Sequence, residues 1–209
     1  MSYVGAPWRS RFLRSPKVAH LMAQDRRFCR LDALASVWLG LKTGNDRFFF
    51  VQPLGQPPAL TLGSGRSRRI RVRGLNGWEG DIASTDLMPA VLNPHHLFHD
   101  ESGRRFTVPA ASSVLYLYPQ DRSPVADLGS YVAVAEAQGV QNSALVRQNG
   151  SRTRWYRQSR TVRAAQWLLP YNSAFDYGAW ENPHGGVING RFVGVDPRDG
   201  IEGELLGGS

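Results

Sequence analysis

The sequence predicts one α+β domain with a mixed or antiparallel β-sheet and two or three helices. Three observations predict it. The 209 residues are 42% hydrophobic, enough for a proper core in one unit without requiring two domains. Apolar runs of strand length occur at Val114–Tyr118, Trp167–Pro170 and Arg191–Val195. Two Ser-Pro pairs, Ser15-Pro16 and Ser123-Pro124, supply the cap and first-turn proline of helices.

Taken in order, Val18, Leu21 and Met22 share one face of a short helix that follows Ser15-Pro16 and runs to about Ala23. Phe28–Leu31 and Ala33–Leu39 read equally as strand or short helix. Phe48–Val51 is aromatic and β-branched, so a strand is predicted with alternate rings on opposite faces. Residues 52–65 are rich in Pro and Gly, with Leu60 and Leu62 forming at most a short edge strand. In Arg69-Ile70-Arg71-Val72-Arg73 the residues alternate, which predicts a strand with one cationic and one apolar face. Asp81–Leu97 holds a strand and an Asn93-Pro94 turn. The second helix buries Leu128, Tyr131, Val132 and Ala135 and stops at Gly139.

Formal charge is +8 and the sequence pI about 10.2, so an anionic partner fits. Apart from Lys17 and Lys42 the cations are arginines. The planar guanidinium suits phosphates and guanine edges, and a GC-rich genome produces the same bias. The lone Cys29 excludes an internal disulfide and a cysteine-built metal site, and fits a reducing compartment. No apolar run reaches about 18 residues, so a soluble, intracellular protein is expected.

The most informative stretch is Leu39–Val51. Gly44-Asn45 predicts a tight turn that presents Lys42, Thr43 and Asn45 before an aromatic wall. Four segments in this chain resemble those of one family. Gly40-Leu41-Lys42-Thr43-Gly44-Asn45-Asp46-Arg47-Phe48-Phe49 is similar to a "G-(I/L)-x-T-G-x-(N/D)-x-F-F" segment. Arg11–Pro16 is similar to "W-x-x-x-L-R-(A/S)-P", and Tyr131–Val140 to a helix ending in "G-(E/A)-x-x-G". Arg152, Arg154, Trp155 and Tyr156 resemble "R-x-R-x-x-W-Y" with shortened spacing. Together they resemble the specificity region of adenine-specific DNA methyltransferases of the restriction-modification type, over about Arg9 to Val195.

The resemblance implies a target-recognition domain over residues 1–200, truncated at both ends, with a frayed tail at 201–209. It implies double-stranded DNA as partner, a prokaryotic cytoplasm, and a catalytic domain in cis or in trans that uses S-adenosylmethionine. The chemistry of that domain is not readable in this chain. Gly63-Ser64-Gly65 is followed by charge and is no cofactor fingerprint. Asn93-Pro94-His95 and Asn182-Pro183-His184 lack the second proline and the aromatic of a loop that grips a flipped adenine. Both read as turns. His95, His96 and His99 lack metal-ligand spacing, and no G-x-S-x-G elbow activates a serine. No catalytic residue and no metal ligand is therefore assigned.

For a DNA-reading module, phosphate contacts position and base-edge contacts specify. Arg66, Arg68, Arg69, Arg71 and Arg73, with Lys42, Arg152 and Arg154, are the candidates for phosphate. The same arginine run also reads as a solvated outer face. Thr43, Asn45 and Arg47, on the turn at Gly44, are the candidates for bases. Trp155 and Tyr156 either stack on a base or sugar, or fill the core. The rival reading is a stand-alone basic module for RNA or single strands, resting on the aromatic and basic mix of Arg152–Arg163.

Overall fold

In a computed structural model, residues 21, 24–25, 27–55, 68–93, 98–99, 106–107, 114–119, 126–150, 153–158, 162–171 and 179–199 are described. The chain divides into two units, Met1–Ala35 and Ser36–Ser209. In the first, Leu21 and Gln24 are helical, and a one-turn helix α1 follows at Leu31–Leu34. Strand β1 (Ala35–Leu39) comes next, so the ambiguous stretch before Gly40 contains both helix and strand. The helix start at Ser15-Pro16, the Leu60–Leu62 strand, the histidines at 95 and 96 and the tail lie outside the described residues.

The second unit is α+β, with two six-stranded sheets where one was expected. Its elements are helix α2 (Asp46–Phe49) and strands β2 (Phe50–Pro53), β3 (Arg69–Arg73), β4 (Glu79–Ala83), β5 (Leu87–Val91), β6 (Phe98–His99), β7 (Phe106–Thr107) and β8 (Leu115–Leu117). Helices α3 (Ala126–Ala137) and α4 (Ala144–Asn149) follow, then β9 (Trp167–Pro170), β10 (Trp180–Glu181), β11 (Val187–Ile188) and β12 (Phe192–Pro197). One sheet runs β1-β12-β9-β10-β7-β6, and the other β11-β5-β8-β2-β3-β4. Both are mixed: β10 pairs β7, and β11 pairs β5, in parallel, among otherwise antiparallel ladders.

The larger core lies on the second sheet, where Phe48, Phe49, Tyr116, Tyr131 and Leu117 are almost fully buried. A smaller cluster draws on both sheets, with Leu168 and Phe192 from the first, Val91 and Ile188 from the second, and Trp38 packed against it. No helix among the described residues is long and apolar enough to cross a membrane.

One element departs from its expected form. The strand predicted at Phe48–Val51 is a helical turn through Phe49, and the strand begins at Phe50. Local capping outweighs the β-propensity of the aromatic run here. Asn45 Oδ1 accepts from the Phe48 N–H at 3.1 Å, and Thr43 Oγ1 donates to Asp46 Oδ1 at 2.7 Å. Successive residues on a strand face opposite sides, whereas successive helical residues lie about 100° apart. The turn can therefore send Phe48 and Phe49 into one core. Phe48 stacks on Tyr131 with centroids 4.9 Å apart, and Phe49 lies 6.3 Å from Tyr116.

Candidate nucleic-acid interface

Residues Gly40–Asn45 connect β1 of one sheet to α2 and β2 of the other. Both glycines are required by geometry. A Cβ at Gly40 would collide with the Asn189 carbonyl, because the Gly40 and Leu41 N–H groups donate to Phe192 O and Ile188 O. Gly44 has φ +83°, which favours glycine, and a Cβ there would lie 2.7 Å from Leu145 Cβ.

The loop carbonyls are gripped from below. Asn149 Nδ2 donates to Lys42 O and Gln158 Nε2 to Thr43 O, each at 2.9 Å, while Ser143 Oγ donates to Gly44 O at 3.1 Å. Asn149 and Gln158 are themselves buried, and Tyr116 Oη donates to Gln158 Oε1 at 3.3 Å. Buried amides bonded to backbone fix a loop, since losing either partner would strand the other without water. Their separation in sequence from their acceptors, 107 and 115 residues, hid them from sequence reasoning.

On this base Lys42 and Arg47 are exposed. Arg147 is exposed on α4, whose Leu145 and Val146 meet Gly44. None of the three has an ion pair or side-chain hydrogen bond among the described residues. Asn45 is half-buried; its Oδ1 caps α2, and its Nδ2 has no partner among the described residues. Thr43 is not presented, contrary to expectation. It is fully buried, because its hydroxyl accepts from the Asn45 N–H and donates to Asp46.

The arginines of β3 stand differently. Arg69, Arg71 and Arg73 are exposed, with Ile70 and Val72 buried beneath, as the alternation predicts. Each faces a carboxylate. Arg73 pairs with Glu79 at 2.7 Å and Arg71 with Asp81 at 3.8 Å, both directly across the ladder from their partners, and Arg69 pairs with Asp127 on α3. The strand thus carries a locally neutral face. Arg68 is exposed just before it, its N–H donating to Ser84 Oγ. Arg66 and Arg152 lie outside the described residues, and Arg154 is exposed.

Trp155 and Tyr156 are core residues, 6% and 8% exposed. Trp155 packs 4.8 Å from Phe48, and its Nε1–H donates to Glu136 at 3.0 Å. Of the two roles open to them from sequence, they fill the core. Asn182 forms the turn expected of Asn-Pro: its amide bridges Ala165 O and Gly186 O, and its Oδ1 accepts from the Gly186 N–H. No protein-family model matches the chain, and no curated protein is significantly similar to it.

Proposed function

We propose that this chain recognises target sites in duplex DNA for an adenine-specific DNA methyltransferase of the restriction-modification type. In this reading methyl transfer belongs to a catalytic domain that binds S-adenosylmethionine, in the same polypeptide or in a separate subunit. The observation that carries the reading is the Leu41–Arg47 loop. It is held by buried amides and carries exposed cations that have no ion pair among the described residues, whereas the β3 arginines already have carboxylate partners.

Lys42 and Arg147 serve as phosphate contacts, since a point charge or guanidinium on a fixed base sets register on the duplex. Arg47 and Asn45 read base edges: a guanidinium matches the two acceptors of guanine, and a carboxamide the acceptor and donor of adenine. Thr43 shapes the loop and touches no base. The rival reading as an RNA or single-strand module rests on the aromatic and basic mix of Arg152–Arg163, which needs Trp155 and Tyr156 as its stacking surfaces. With both rings in the core, duplex DNA is favoured.

Equilibrium binding of the full chain to a panel of duplexes at several salt concentrations tests this. Wild-type affinity should fall with salt at a log–log slope of about 0.9 per phosphate contact. Lys42→Ala should flatten that slope by about one unit on every sequence. Arg47→Ala should cost unequal amounts between sequences, about 1–3 kcal/mol where a bidentate contact is lost. Failure to bind any duplex at low ionic strength would sink the reading.

A further inference from the structure

Beside the loop lies an exposed ring that neither the sequence nor the duplex contacts above put to use. Tyr171 follows β9 directly and is 62% exposed. Its backbone is anchored: the Tyr171 N–H donates to Arg191 O at 2.6 Å, and Pro170 before it pairs with Phe192 on β12. Arg191 is exposed. Its own N–H donates to Asn189 Oδ1 at 3.1 Å, while its guanidinium has no partner among the described residues. Gly190 stands between Arg191 and Lys42. Its N–H donates to Leu41 O at 2.7 Å, and a Cβ there would lie 3.1 Å from Lys42 Cγ, so the lysine stem runs past it.

An aromatic ring on a backbone-tied strand end, with Arg191 across the ladder from it and Lys42 beside Gly190, has the chemistry to stack on a base and to meet the phosphates next to it. Aromatic faces stack on any base, and cations track the backbone on either side. A base inside a duplex already has both faces covered by its neighbours. The group that fits must therefore stand outside the helix.

We propose that Tyr171, with Arg191 and Lys42, is a stacking site for an unpaired nucleobase, a proposal that rests on the duplex-DNA reading above. The ring contributes preference for the unpaired base, and the two cations contribute affinity for any DNA.

The test compares affinity for a fully paired duplex with affinity for the same duplex carrying one unpaired base, at fixed salt. The wild-type chain should prefer the second by roughly five- to a hundredfold, the worth of one base–aromatic stack. Tyr171→Ala should abolish that preference and leave paired-duplex affinity within about twofold, while Tyr171→Phe retains it. Arg191→Ala should weaken both substrates alike and flatten the salt slope by about one unit. An unchanged melting temperature checks that the exposed substitutions leave the fold intact. If both DNAs bind without preference, or if Tyr171→Ala keeps the preference, this site is overturned and duplex recognition stands. If neither DNA binds, both fall together.

Discussion

At the scale of single residues, Tyr131 does the most to join the parts of the larger core. Its ring stacks on Phe48 at 4.9 Å and on Trp78 at 4.6 Å. Its hydroxyl donates to Phe48 O and accepts from the Leu75 N–H, each at 2.9 Å. Burial pushes the phenol up to about 12. The unfolded chain ionises near pH 10, so folding prefers the neutral phenol. The stability this lends is complete below about pH 10 and is lost as pH rises toward 12. Over two pH units that is roughly 2–3 kcal/mol. Tyr131→Phe keeps the ring but strands a buried N–H and carbonyl, so it should cost about 1–3 kcal/mol at pH 8. Urea denaturation should show the gap between variant and wild type narrowing from pH 8 to pH 11. A constant gap would mean that the hydroxyl is not buried as a neutral donor. The sequence placed Tyr131 on the buried face of its helix with Leu128, Val132 and Ala135, and all four are buried. Its hydroxyl partners were not readable, being 56 and 83 residues away.

At the scale of elements, period was readable and charge pairing was not. The alternation of Arg69–Arg73 fixed which face of β3 is buried. The structure then turns to β4 at Asn76-Gly77, where both residues have positive φ, a turn the sequence reading did not single out. The helical turn α2 was missed because three consecutive phenylalanines speak for a strand, while the decisive bond is one cap from Asn45. Asn45→Ala should accordingly cost about 1 kcal/mol by thermal or urea unfolding. The carboxylates opposite the arginines change what β3 can do. Exposed pairs of this kind contribute roughly 0–1 kcal/mol each, so exchanging a carboxylate for a phosphate costs the fold little. They do, however, compete with phosphate for the same guanidinium groups. Glu79→Gln combined with Asp81→Asn should leave stability within about 1 kcal/mol and steepen the salt slope for duplex DNA by up to about 2 units. Glu181→Gln with Asp199→Asn adds the same charge at carboxylates that pair with none of the β3 arginines, and serves as the control. Equal effects from the two double variants would reduce the ladder to a matter of net charge.

At the scale of the whole second unit, the candidate interface sits where the chain crosses between its two sheets. Two of the crossings meet here, from β1 to β2 through Gly40–Asn45 and from β11 to β12 through Asn189–Arg191. The two crossings are joined by a parallel bridge between Leu41 and Asn189 and by hydrogen bonds from Gly40, Leu41 and Gly190. Sequence reasoning placed a tight turn at Gly44-Asn45 but expected one sheet, so the turn was legible and the crossing was not. It missed the second crossing as well, because nothing local in Ile188-Asn189-Gly190-Arg191 announces a partner almost 150 residues earlier. A loop seated on such a seam inherits the rigidity of both sheets, which is what a reader of base edges requires. The cost is intolerance at the closest approach. Gly40→Ala drives a methyl group into the Asn189 carbonyl, a backbone atom with no rotamer to yield. Overpacking of that kind costs about 1–3 kcal/mol, and a chain of this length should lose roughly 2–10 °C in melting temperature. The seam should also loosen as a unit. In native-state hydrogen exchange the amides of Leu41 and Gly190 should lose protection together in Gly40→Ala, while those of β3 and β4, at the far end of the second sheet, keep theirs. Independent loss at the two crossings would show that they are separate loops lying side by side, and the rigid base beneath Lys42 and Arg47 would go with them.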